Sequence, residues 1–139
     1  MSTAYRGASF VTALVAVIDP DTGRVALGSA GHIGPTLLGS SACRVVDPHY
    51  GPPLGTFPAE YPMSEIRLAA GEYLILYTDG VTEARAAGEQ FGEAGVVQVG
   101  CRLRGSSAQH VAEKIRDSAT TFASRLMDDL QILVLRQKA

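Results

Sequence analysis

Short apolar runs dominate the chain before residue 80, and apolar positions recur at helical spacing only after residue 93, most strongly after residue 107. Residues 10–18, FVTALVAVI, are apolar and rich in β-branched side chains, which predicts a strand buried on both faces. The run DPDTG at 19–23 follows. Pro20 presets the first turn torsion and Gly23 tolerates a positive φ, so the chain is expected to return over residues 24–29 as the second strand of an antiparallel hairpin. A parallel partner would need a crossover of about a dozen residues or more. Residues 30–35, AGHIGP, read as a turn, and 36–38 as a short third strand. Residues 43–62 read as irregular, with DPHYGPPLG at 47–55 forming a long surface loop. EIRLA at 65–69 alternates polar and apolar positions, as a half-buried strand does. AGE at 70–72 turns tightly into YLILY at 73–77, a second buried strand.

Helices are expected late. Residues 94–103 carry a helical pattern that Gly95 and Gly100 break and that stops near Gly105. SSAQ at 106–109 is a capping signature, in which a serine hydroxyl accepts from the third amide while Gln109 reaches back. Ala108, Val111, Ala112, Ile115, Ala119, Phe122, Ala123 and Leu126 then mark the strongest helix. LQILVL at 130–135 predicts a closing strand. Strands first and helices last predict an α+β fold, with an antiparallel sheet covered by helices on one face.

Composition narrows the classes. The 139 residues suit one domain, and 46% hydrophobic with 19% charged residues is a globular balance. Twelve basic residues against fourteen acidic leave a net charge of −2, with arginines scattered rather than clustered, so no nucleic acid partner is expected. The longest apolar run falls far short of the ~20 residues of a membrane span, and no membrane association is expected. MSTAYRGAS at the start lacks the apolar core of a signal peptide. Cys43 and Cys101 fit no CxxC spacing and read as unreactive thiols in a reducing, cytoplasmic setting.

Two acidic positions stand out. Asp79 follows the buried strand at 73–77, and the Asp128–Asp129 pair immediately precedes the closing strand. Carboxylates at the ends of apolar strands sit at a sheet rim, and a hard cation such as Mg²⁺ is typically held by one or two carboxylates plus water. The plainer reading makes Asp79-Gly80 a turn and the acidic pair a solvated strand start. His32 reads as structural, its ring bonded to a loop, rather than as a general acid. His49 and His110 read as exposed, and Arg85 as a solvated residue near Glu83.

Together, FVT at 10–12, VIDPDTG at 17–23, AGH at 30–32, PLG at 53–55, LYTDGVTEA at 76–84 and DDLQILV at 128–134 change the weighting. In this order they resemble the bacterial stage II sporulation E-like branch of the metal-dependent (PPM-type) serine/threonine protein phosphatases, from about residue 10 to residue 136. The resemblance implies an α/β/β/α sandwich of antiparallel sheets. It implies Mn²⁺ or Mg²⁺ at one end, activating a water that attacks a phosphoserine or phosphothreonine without a phosphoenzyme. Asp79 and Asp128 would be metal ligands, with Gly80 and Asp129 supporting them. The partner implied is a phosphorylated regulatory protein, such as an anti-sigma-factor antagonist. Two further metal-binding aspartates of the family lie in segments before the region matched here, so residues 1–139 are expected to be a single, N-terminally truncated, partial phosphatase domain with an incomplete metal site. Gln131 stands where the family favours threonine. The chain alone is expected to be weakly active or inactive and to form a homodimer covering its exposed faces. The alternative is a truncated, inactive phosphatase-like module that binds or oligomerises.

Overall fold

The computed structural model describes residues 9–123 and 129–138. The chain forms β1 (Ala13–Ile18), β2 (Arg24–Ala30), β3 (Thr36–Leu38), β4 (Cys43–Val45), β5 (Ser64–Arg67) and β6 (Tyr73–Tyr77). It continues through α1 (Asp79–Thr82), β7 (Arg85–Ala86), β8 (Glu89–Gln90), α2 (Gly92–Arg102), α3 (Ala108–Phe122) and β9 (Ile132–Arg136). Strands β1-β2-β5 make one antiparallel sheet, β4-β3-β6-β9 a second, and β7-β8 a small hairpin.

The β1–β2 hairpin forms as expected, from Ala13 opposite Ala30 to Ile18 opposite Val25. Its turn needs glycine at 23 for two reasons. Gly23 has φ +76°, and a Cβ there would fall on the Leu68 carbonyl. The Gly23 amide donates to Asp19 O at 2.8 Å, and its carbonyl accepts from the Leu68 amide at 2.8 Å. The turn thereby ties the first hairpin to the end of β5.

β6 organises the core because successive side chains leave opposite faces of a strand. Tyr73, Ile75 and Tyr77 face the helices, where they pack with Leu38, Val96, Val111, Ile115 and Ala119. Leu74 joins Val25, Leu27, Leu37, Val46 and Leu68 where the two sheets meet. The described residues thus stack as sheet, sheet, helices, three of the four layers that the family resemblance implied. Ser107 caps α3 by accepting from the His110 amide at 3.1 Å, and Val111, Ile115 and Ala119 are its buried stripe.

Several expectations are corrected. β1 is not buried on both faces: it is an edge strand, and Val15 and Val17 are 55% and 62% exposed. Residues 43–45, read as irregular, form β4 against β3. Gly95 and Gly100 do not break α2. At Gly100 a Cβ would press within 3.0 Å of a Leu38 methyl, so the glycine lets the helix approach β3 and β6 closely. Gln109 does not reach back to the cap; its amide donates to Glu113 at 2.9 Å. Cys43 and Cys101 are not free thiols but a disulfide joining β4 to α2, with Cα atoms 6.0 Å apart. That proximity follows from the seating of α2 on the sheet and has no trace in a spacing of 58 residues. Leu126 lies outside the described residues.

Candidate functional site

The ladder between β6 and β9 runs from Tyr73 opposite Arg136 to Tyr77 opposite Ile132. Thr78 extends it. The Thr78 amide donates to Gln131 O at 3.1 Å. Its hydroxyl donates to Asp129 O at 2.9 Å and accepts from the Gln131 amide at 3.0 Å. Three bonds therefore hold the residue before Asp79 against the three residues that lead into β9.

Asp79 opens α1, a single turn closed by the Glu83 amide donating to Asp79 O at 2.8 Å. Val81 and Ala84, both fully buried, anchor that turn in the helical core, and Gly80 is buried beside them. With the turn fixed from below, the Asp79 side chain is exposed and forms no ion pair among the described residues. Asp129 is exposed on the neighbouring segment. Asp128 lies outside the described residues.

A cleft of about 380 Å³ opens beside this rim, between the ends of β1, β6 and β9. Thr12, Leu14, His32, Thr78, Gln131 and Leu133 contribute to its wall. His32 does bond to a loop, as its sequence context implied: ring Nδ1 lies 2.8 Å from Ile33 O. A carbonyl only accepts, so Nδ1 carries the proton and donates. Ser29 holds the same turn, accepting from the His32 amide at 3.0 Å and donating to His32 O at 2.7 Å. Yet His32 also faces the cleft shared by Thr78 and Gln131, which the sequence did not indicate. Gln131 ties to Thr78 through its main chain alone, so its amide side chain is not needed for that link. Tyr77 borders the cleft as well, and its hydroxyl lies 3.1 Å from Thr36 Oγ1 in the core. Burial pushes the Tyr77 phenol up to about 12, so it remains protonated at neutral pH. His49 and His110 are exposed, as expected. Arg85 is exposed on β7, paired across the hairpin with Gln90.

The donor chemistry at the rim fits a hard divalent cation. Exposed carboxylates on two segments tied together by one main-chain bond and the two bonds of the Thr78 hydroxyl suit an ion that keeps most of its waters. Among the described residues no group of three or more His, Cys, Asp or Glu side chains converges. Thr78 is the site residue that sequence reasoning missed. Its signal was weak: a hydroxyl between a buried strand and an aspartate, easily read as a helix cap.

The family described as Stage II sporulation protein E (SpoIIE) matches residues 1–138, and the chain belongs to that family. IcfG of Synechocystis sp. (strain ATCC 27184 / PCC 6803 / Kazusa) is 34% identical over 85 residues, 60% of this chain and 13% of that protein. The RsbU and RsbW domains of Rv1364c from Mycobacterium tuberculosis share the fold at a TM-score of 0.79 and 22% identity, over 92% of this chain and 36% of that one. The manganese-presoaked phosphatase domain of the cell fate determinant SpoIIE from Bacillus subtilis does so at 0.73 and 18%, over 91% and 56%. The chain thus has the mixed α/β fold of phosphatase domains, built on antiparallel sheets, and spans about half or less of each relative's length.

Proposed function

We propose that the chain carries part of the active site of a metal-dependent protein serine/threonine phosphatase. The observation that carries the reading is the joining of the Asp79 turn to the Asp129 segment at the mouth of the cleft, in a member of the SpoIIE family. On this reading Asp79 and Asp128 hold Mn²⁺ or Mg²⁺, with Gly80 and Asp129 as support. The ion supplies the positive charge that activates water toward a phosphoryl group. The chain's own residues fix where that ion sits, and the cleft admits the phosphorylated residue. The manganese-soaked relative supports the choice of cation. The substrate is a phosphorylated regulatory protein of the anti-sigma-factor-antagonist kind, acted on in the cytoplasm. Among the described residues no helix is long and apolar enough to cross a membrane. Residues 1–139 act as one unit of that phosphatase domain, as a homodimer.

A second reading, a phosphatase-like module that binds without turning over, is favoured by the small number of converging ligands among the described residues. Phosphate release from a phosphoserine peptide separates the two. The expected result is slow release that needs Mn²⁺, stops with a chelator and is lost in Asp79→Asn. Release that survives the chelator or Asp79→Asn contradicts the first reading. Metal binding without any release supports the second.

A further inference from the structure

We propose that Thr78 is a positioning residue for the metal-binding rim, its hydroxyl fixing the spacing between Asp79 and the main chain of residues 129–131. The inference rests on the reading that Asp79 holds the cation.

Thr78 is the N-cap residue of α1, with extended torsions of φ −89° and ψ 166°. A threonine there ordinarily turns its hydroxyl to an amide of the first turn. Here the side chain makes no such bond. The hydroxyl crosses instead to the other strand, donating its one proton to Asp129 O at 2.9 Å and accepting from the Gln131 amide at 3.0 Å. A hydroxyl has one proton and two acceptor sites, and both kinds are used. Without it, a single main-chain bond, Thr78 amide to Gln131 O at 3.1 Å, would join the segments beyond the last ladder pair. One bond leaves a hinge, whereas three fix both distance and rotation. The α1 turn is already held from below by buried Val81 and Ala84. The Asp129–Gln131 main chain is therefore the movable side, and Thr78 holds it.

Groups behind a metal's ligands set their geometry, and removing one typically weakens binding by about 10–100-fold. Valine has threonine's shape and neither bond, while serine keeps both. The expected result is that Thr78→Val raises the Mn²⁺ dissociation constant at least about tenfold, and Thr78→Ser restores it to near the wild-type value. Coupling must also be reciprocal. In the wild-type chain, saturating Mg²⁺ is expected to slow hydrogen exchange at the Gln131 amide, whose proton the Thr78 hydroxyl accepts. That arm needs no variant and holds if Thr78→Val does not fold. Equal Mn²⁺ affinity in Thr78→Val, failure of serine to restore it, or a Gln131 exchange rate blind to Mg²⁺ overturns the proposal and leaves the phosphatase reading standing. A wild-type chain that binds neither ion overturns that reading and, with it, the proposal.

Discussion

Tyr77 illustrates how a single side chain couples the site to the stability of the whole. The residue is 3% exposed, its hydroxyl meets buried Thr36, and burial lifts its pKa from an ordinary value of about 10 to about 12. A pKa raised by folding means that the native state holds the proton more tightly. The associated stability is present in full below about pH 10 and is lost as pH rises toward about 12. The expected outcome is a melting temperature that falls more steeply across that window in the wild type than in Tyr77→Phe. Parallel profiles would contradict it. At this scale the sequence was informative where chemistry is local. Asp79 was visible because it ends a buried run and sits in LYTDGVTEA. Thr78 was not, because its partners lie 51 and 53 residues away and only the meeting of β6 with the approach to β9 brings them within reach.

Elements long enough to show a period were legible. α3 announced itself through Ser107 and the spacing of Val111, Ile115 and Ala119. β6 did so through five consecutive apolar residues. α1, with four residues, β4 with three, and β7 and β8 with two each are shorter than any pattern that periodicity can resolve. They exist because tertiary contacts hold them: Val81 in the core for α1, and the β3 ladder for β4. The link from β4 to α2 through Cys43 and Cys101 belongs to this scale. Closing a loop with a separation of 58 residues restricts the unfolded chain, which on the chain-entropy account contributes about 4 kcal/mol to stability. Reduction with dithiothreitol is expected to lower the unfolding free energy by an amount of that order, and the denaturation midpoint with it. Cys101→Ser should show the lowered midpoint with and without reductant. Identical midpoints for oxidised and reduced protein would contradict the estimate.

In the whole molecule, two buried clusters share β6, one between the sheets and one beneath the helices. The outer side of the first sheet is different. Val15 and Val17 are 55% and 62% exposed on edge strand β1, and Phe10 is 59% exposed just before it. Apolar edges with little charge recruit further strands. A two-fold dimer is therefore expected in sedimentation equilibrium at micromolar concentration, shifting to monomer in Val17→Lys. A wild-type chain that sediments as a folded monomer would contradict this. A sheet beneath helices was legible because most strands precede the helices in the sequence, whereas the second sheet followed only from the family resemblance. The exposure of Val15 and Val17 was not legible, since residues 10–18 carry the same apolar run whether or not something covers them.

On the proposed reading Asp79, just past the end of β6, holds a divalent cation beside the cleft. The decisive experiment is calorimetric titration of Mn²⁺ into the wild-type chain and into Asp79→Asn. One weakly held ion per chain is expected in the wild type, with binding lost in Asp79→Asn, because a hydrated cation anchored by one or two carboxylates does not survive removal of one of them. An isotherm unchanged by Asp79→Asn, or a wild-type chain that takes up no Mn²⁺, would contradict the account.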